Sequence, residues 1–187
     1  YSTNEIISIF KTCKVLNRTY VANKLTEEPL YAIESQIKNS KEKRKQNKIG
    51  SYKYGLELHE KSKEDLALLK SLLGINDLKY KTLADQLANE IMQCGVDFFN
   101  ESQDNNATAD YLKSSVKLTK LAKTIAVGQL TKDRVKDSLA TLEEMKDREL
   151  SSIITTLQAV KDAYEDNKRA ILDQVKVAER GLEFGQS

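Results

Sequence analysis

Between Asn76 and Gly128 apolar residues recur at steps of three or four, and this spacing restricts the fold more than any other feature of the chain. Leu83, Leu87, Ile91, Cys94 and Phe98 fall on one helical face. A second set, Ala109, Leu112, Val116, Leu118, Leu121, Ala122, Ile125 and Ala126, repeats the pattern and stops at Gly128. Asn76 or Asp77 stands where an N-cap is needed, just after Gly74, which suits a left-handed helix end. The polar run Glu101 to Asn106 cannot bury a face, and its Asn and Asp side chains bond local backbone better in turns than in helices. The stretch therefore reads as a helical hairpin with its turn at 101–106.

Small residues lie on both limbs: Ala84, Ala88 and Gly95 on the first, Ala109, Ser115, Ala122 and Ala126 on the second. They would let two helix backbones approach closely. Ile91, Gly95 and Phe98, followed by Ser115 and Ala122, resemble the seam of one tetratricopeptide-type unit, in which a Gly on the first helix admits its partner and small residues on the second complete the contact. The resemblance covers 76–128 only. It implies helical hairpins packed as a bundle or short array that offers a groove to a peptide or protein. The chain departs from that pattern in having no Trp, so that Ile91 fills the large first-helix position, and in carrying Gly128 where a closing Pro is common.

The flanking segments also carry helical stripes. Ser2-Thr3-Asn4-Glu5 has the capping-box pattern, and Ile6, Ile7, Phe10, Cys13, Leu16 and Tyr20 follow, which predicts a helix to about Lys24. Thr26, Glu27, Glu28 and Pro29 look like the start of a second helix, with Leu30, Ile33 and Ile37 as its buried stripe. From Lys38 to Lys48 there is no apolar residue, so this run reads as a solvated helix extension or a mobile loop. Tyr52, Tyr54, Leu56 and Leu58 alternate as in a strand. No second strand exists to pair with them, and helix or irregular structure is expected at 51–59. Ser62 and Asp65 restart a helical pattern at Leu66, Leu68, Leu69, Leu72 and Leu73 that Gly74 ends.

After Thr131 no Pro or Gly occurs until Gly181. Val135, Leu139 and Leu142 make one stripe; Leu150, Ile153, Leu157, Val160 and Tyr164 make another, continued by Ile171, Val175, Ala178 and Leu182. The two fall out of phase between Leu142 and Leu150, which fits either two helices jointed near Asp147 or one long helix that changes its contact face. Asn167 and Gln174 interrupt the seam, so a regular coiled coil is disfavoured. Intramolecular packing, a monomer, and low exposure of Leu157 and Val160 are expected instead.

These stripes predict an all-α chain: one domain over 1–187, with N-terminal helices and a basic stretch in 1–75, the hairpin in 76–128 and a long helical segment in 129–187. A content of 40% apolar and 31% charged residues with one Pro suits a helix-rich protein and not a disordered one. No apolar run approaches the roughly 18 residues that a membrane span needs, and a cytoplasmic location is expected.

The chemistry of the sequence is sparse. There is one histidine, His59, and the two cysteines, Cys13 and Cys94, lie far from it, so zinc-ligand spacing is absent. No Gly-rich phosphate loop, nucleophile elbow or dinucleotide fingerprint occurs. Glu143-Glu144 and Glu165-Asp166 lack the histidines of helical di-metal sites and read as solvated faces. No catalytic residue, metal or cofactor is expected.

The reading that remains is a non-catalytic protein-interaction or scaffold domain with an unidentified protein or peptide partner. The alternative is binding of nucleic acid or an anionic surface through Lys41, Lys43, Arg44, Lys45 and Lys48. Up to Gly55 the chain holds 11 Lys and Arg against 5 Asp and Glu, a net +6 that the remainder, at −4, conceals. Interleaved aromatics that could stack bases are absent from the run.

Overall fold

In a computed structural model the chain is all-α, with five helices and no strand among the described residues, which are 5, 8–9, 18–104 and 110–184 (backbone only at 18–23, 104 and 181–184). The helices are α1 Arg18–Gln46, α2 Ser51–Leu73, α3 Leu78–Asp104, α4 Tyr111–Ile125 and α5 Gln129–Phe184. The chain divides into two units, 1–143 and 144–187, and the division falls inside α5. The stripe of Ile6, Ile7, Phe10, Cys13 and Leu16 lies outside the described residues.

Each helix end has a local cause. Gly74 closes α2 at φ 86°, a conformation that a side chain would disfavour, and its N–H reaches Lys70 O. Asp77 then caps α3, its Oδ1 accepting from Lys79 N at 2.8 Å and Tyr80 N at 3.2 Å. Asp110 does the same for α4, accepting from Lys113 N at 3.2 Å. The start of α5 is capped from a distance: Asp85, in the second turn of α3, accepts from Val127 N at 2.9 Å and Gly128 N at 2.9 Å. A Cβ on Gly128 would lie 2.2 Å from Asp85 Oδ2, so this approach depends on glycine.

Several expected boundaries move. Pro29 does not begin a helix but lies buried inside α1, which runs unbroken from Arg18 through the break expected between Lys24 and Thr26. Proline is poorly placed there by backbone preference, since it lacks an N–H, but burial of Thr26, Ile33 and Ile37 along one face holds the helix together. The basic run is the last part of that helix as far as Gln46, not a loop. Ser51–His59 is helical, and α2 passes through Ser62 without a restart. Of the expected turn at 101–106, Glu101 to Asp104 instead extend α3, with Ser102 fully buried, and Asn105 and Asn106 lie outside the described residues. The C-terminal segment is one helix, without a joint near Asp147.

In the first unit α3 is central, packed against α1, α2 and α4. Its buried Leu87 and Ile91 join Ile33 of α1, Leu69 of α2, Leu118 of α4 and Val135 of α5, each at most 1% exposed, in one core. A smaller cluster of Phe99, Leu112 and Leu142 sits beside it, with the Phe99 and Tyr111 rings 5.5 Å apart. The hairpin seam is as close as its residues imply. Ile91, Ser115 and Ala122 are fully buried, and Ser115 Oγ donates to Gly95 O at 3.0 Å. Phe98 is half-buried and faces α2, where its ring centroid is 5.5 Å from that of Tyr52.

The second unit, described by itself, is a single helix. Every described side chain from Leu150 to Arg180 is exposed apart from half-buried Glu165. Leu157 and Val160, expected among the least exposed residues, are 63% and 62% exposed. Burial ends at Leu142: Thr131, Val135, Leu139 and Leu142 are buried in the first unit, and no described side chain after them is buried.

Candidate functional site

Three surfaces bear on function: the basic end of α1, the groove beside the hairpin and the helix beyond Glu143. The five basic candidates of α1 do not share one surface. Lys41, Lys45 and Lys48 are exposed. Lys43 turns to α2, where Nζ bonds Glu57 Oε2 at 3.3 Å and stands 5.7 Å from the centre of the Tyr54 ring. Arg44 is drawn between helices. Its Nε and Nη2 donate to Glu90 Oε1 and Oε2 at 3.1 and 3.3 Å, and Nη1 donates to Asp97 Oδ2.

This bridge is a desolvated charge pair: the Glu90 side chain is 2% exposed and that of Arg44 is 14%. Ser40 Oγ donates to Glu90 Oε1 at 3.2 Å, and Gln93 Nε2 donates to Asp97 Oδ1 at 2.8 Å. Burial works against the Arg44 charge, but hydrogen bonds to Glu90 and Asp97 outweigh it and raise its pKa above the ordinary arginine value. The signal was present in the spacing, since Ile33, Ile37, Ser40 and Arg44 follow steps of four, three and four on the buried face. Composition alone hid it.

Nucleophilic or metal chemistry finds no support at Cys94. The thiol is fully buried, 3.6 Å from Ser40 Oγ and 3.8 Å from Glu90 Oε1, and burial pushes its pKa up to about 12. Among the described residues no group of three or more His, Cys, Asp and Glu could hold a metal ion. A cleft of about 40 Å³ between α1 and α2, lined by Ser40, Lys43, Tyr54 and Glu57, has room only for water.

The groove is larger and is set by the way three helices meet. At Gly55 an added Cβ would lie 3.0 Å from Cys94 Cβ of α3 and 3.0 Å from both δ-carbons of Leu118 of α4, so α2, α3 and α4 converge there. Further along α2 the side chains of α2 and α4 leave a cavity of about 190 Å³ above α3. Buried Leu66, Tyr80, Leu87 and Ile125 form its floor, and His59, Lys63, Ala67, Lys70 and Thr124 form its rim. Burial raises the Tyr80 phenol pKa. His59 thus lies at the rim of an apolar groove, a position its sequence neighbours did not disclose.

Along the helix beyond Glu143, eleven large apolar side chains from Met145 to Val177 are between 40% and 68% exposed. Its polar face carries pairs one turn apart, including Arg148 with Glu144, Arg169 with Asp166 and Lys176 with Asp173. Such pairs sustain a helix by roughly 0.2–0.5 kcal/mol each but bury no apolar surface. Among the described residues no helix is long and apolar enough to cross a membrane. No protein-family model, curated protein or solved structure matches this chain.

Proposed function

We propose that the chain is a non-catalytic protein-interaction module, with the apolar stripe of α5 beyond Glu143 as its principal contact surface and the 1–143 bundle as its folded scaffold. The supporting observation is the exposure of eleven large apolar side chains on one helix, over a length of about 48 Å at 1.5 Å per residue. Nine of them, from Leu150 to Val175, share one face by their spacing; an apolar face of that length suits association, and helices in proteins owe most of their stability to a packed apolar face. The tight Gly95–Ser115 seam supports the scaffold role of the hairpin, and the tetratricopeptide resemblance is confined to that seam. The α3–α4 hairpin, Leu78 to Ile125, is longer than that family's unit of about 34 residues.

A second reading, binding of nucleic acid or an anionic surface, attaches to α1. Lys38, Lys41 and Lys45 share one exposed face by their spacing, and exposed Lys48 lies just past the end of the helix. With Arg44 enclosed by Glu90 and Asp97, and Lys43 paired with Glu57 at a part-exposed position, this stripe offers fewer free charges than the sequence run implies. Affinity capture from nuclease-treated extract, run in parallel with a Leu157→Asp, Val160→Asp, Ile171→Asp, Val175→Asp variant, separates the readings. Proteins retained by the parent chain and lost by a variant with unchanged far-ultraviolet helicity are the expected result. Retention of nucleic acid alone, released by salt, would favour the second reading.

A further inference from the structure

We infer that the groove between α2 and α4 binds an acidic peptide segment in which one bulky apolar residue is flanked by carboxylates. The inference rests on the protein-interaction reading and names a second contact surface with its own ligand chemistry. The floor, Leu66, Tyr80, Leu87 and Ile125, is apolar, and a cavity of about 190 Å³ is large enough for a leucine or aromatic side chain, as a 150 Å³ apolar cavity holds benzene. The three titratable nitrogen groups on the rim are His59, Lys63 and Lys70, and no Asp or Glu lines the cavity. A basic rim without a carboxylate attracts anions and repels basic segments.

The spread of these three groups argues for a chain segment and not a small anion. His59 and Lys70 are three turns apart on α2, about 16 Å along the helix, with Leu66 between them. One small carboxylate cannot meet both ends, whereas some five residues of extended peptide, or three turns of helix, can place an apolar side chain over Leu66 and an acid on either side. Lys63 is bonded to Glu60 of its own helix, an exposed pair whose side chains are 48% and 66% exposed. An ion pair so exposed contributes little, so Lys63 can exchange Glu60 for a ligand carboxylate.

Selection of random linear peptides displayed against the full chain tests this, followed by fluorescence titration of the enriched peptides. The expected peptides carry Leu or an aromatic residue with Asp or Glu on both sides, and they bind about tenfold or more weakly to a Lys63→Glu, Lys70→Glu chain. Ala67 is exposed at the rim, so Ala67→Phe plugs the groove without overpacking the core and should weaken binding similarly while the melting temperature is kept. Enrichment of neutral or basic peptides, no enrichment, or binding that ignores these substitutions would overturn the assignment. So would binding of phosphatidylserine vesicles through Lys63 and Lys70 in the absence of peptide binding. Should peptides fail while the α5 variant still loses its captured proteins, the groove assignment falls and the interaction reading stands.

Discussion

Arg44 of α1 donates from two nitrogens to both carboxylate oxygens of Glu90 of α3, at 3.1 and 3.3 Å, and the two charges are nearly shut off from water. The pair ties the basic end of α1 to the central helix and takes the arginine of that end out of any charged surface patch. Removing one partner of such a pair strands the other charge, which typically costs about 3 to 5 kcal/mol. Arg44→Ala should therefore lower unfolding free energy in urea by that amount. Lys41→Ala, on the exposed side of the same helix, should change it by no more than about 0.5 kcal/mol. Equal effects of the two would show that the bridge is not formed.

Close helix approach makes the second prediction. A Cβ at Gly95 would lie 3.3 Å from Ser115 O and 3.4 Å from Leu118 Cβ, and the further carbons of a leucine have only α4 to enter. Gly95→Leu should destabilise the chain by about 1–3 kcal/mol or more in thermal melts, although any side chain improves on glycine's helix propensity. Gly55→Ala, 3.0 Å from Cys94 Cβ and Leu118, should also destabilise. A stabilised Gly95→Leu would place that face in solvent.

Asp85 and Gly128 should be coupled. Asp85→Ala removes the carboxylate that accepts from Val127 N and Gly128 N ahead of α5, at a cost of about 1–2 kcal/mol, the range for a lost N-cap. Gly128→Ala drives a methyl group into the same carboxylate. In a double-mutant cycle the combined loss should be smaller than the sum of the two, since both act on one contact. Strict additivity would deny the contact.

Asp65 supplies a pH dependence of known sign. Its pKa is raised by burial and then by the charges of Glu28 and Glu64, so the folded chain holds this proton more tightly than the unfolded chain does. The ionised carboxylate therefore opposes folding above its folded pKa, and that opposition disappears as pH falls through the carboxylate range. Asp65→Asn should raise the melting temperature at pH 7, with the difference from the parent shrinking toward pH 3. A lower melting temperature at pH 7 would contradict the local charge arrangement.

The all-α class and the hairpin seam were legible because three-four spacing and small residues report directly on helix faces and their crossings. The N-cap at Asp77 and the left-handed Gly74 were legible for the same local reason. What escaped depended on contacts distant in sequence. Arg44 looked like one cation in a run until Glu90 and Asp97 were placed opposite it. Pro29 looked like a helix start because its local preference is strong and the packing that overrides it is not local. Gly55 carried no local sign of a helix crossing, and only the arrival of Cys94 and Leu118 explains it. The exposed stripe of α5 was seen as apolar, but periodicity cannot say whether a face is covered by its own chain.

Hydrogen exchange across 145–177 tests the central claim most directly, measured on the isolated chain and again with a protein recovered by the α5 stripe. In the isolated chain these amides should exchange far faster than those of Leu83 to Cys94, which sit in the packed core. With the partner bound, protection should rise along Leu150 to Val175 and little elsewhere on α5. Strong protection of that stretch in the isolated chain, or partner-induced protection confined to the α1 lysines, would contradict the account.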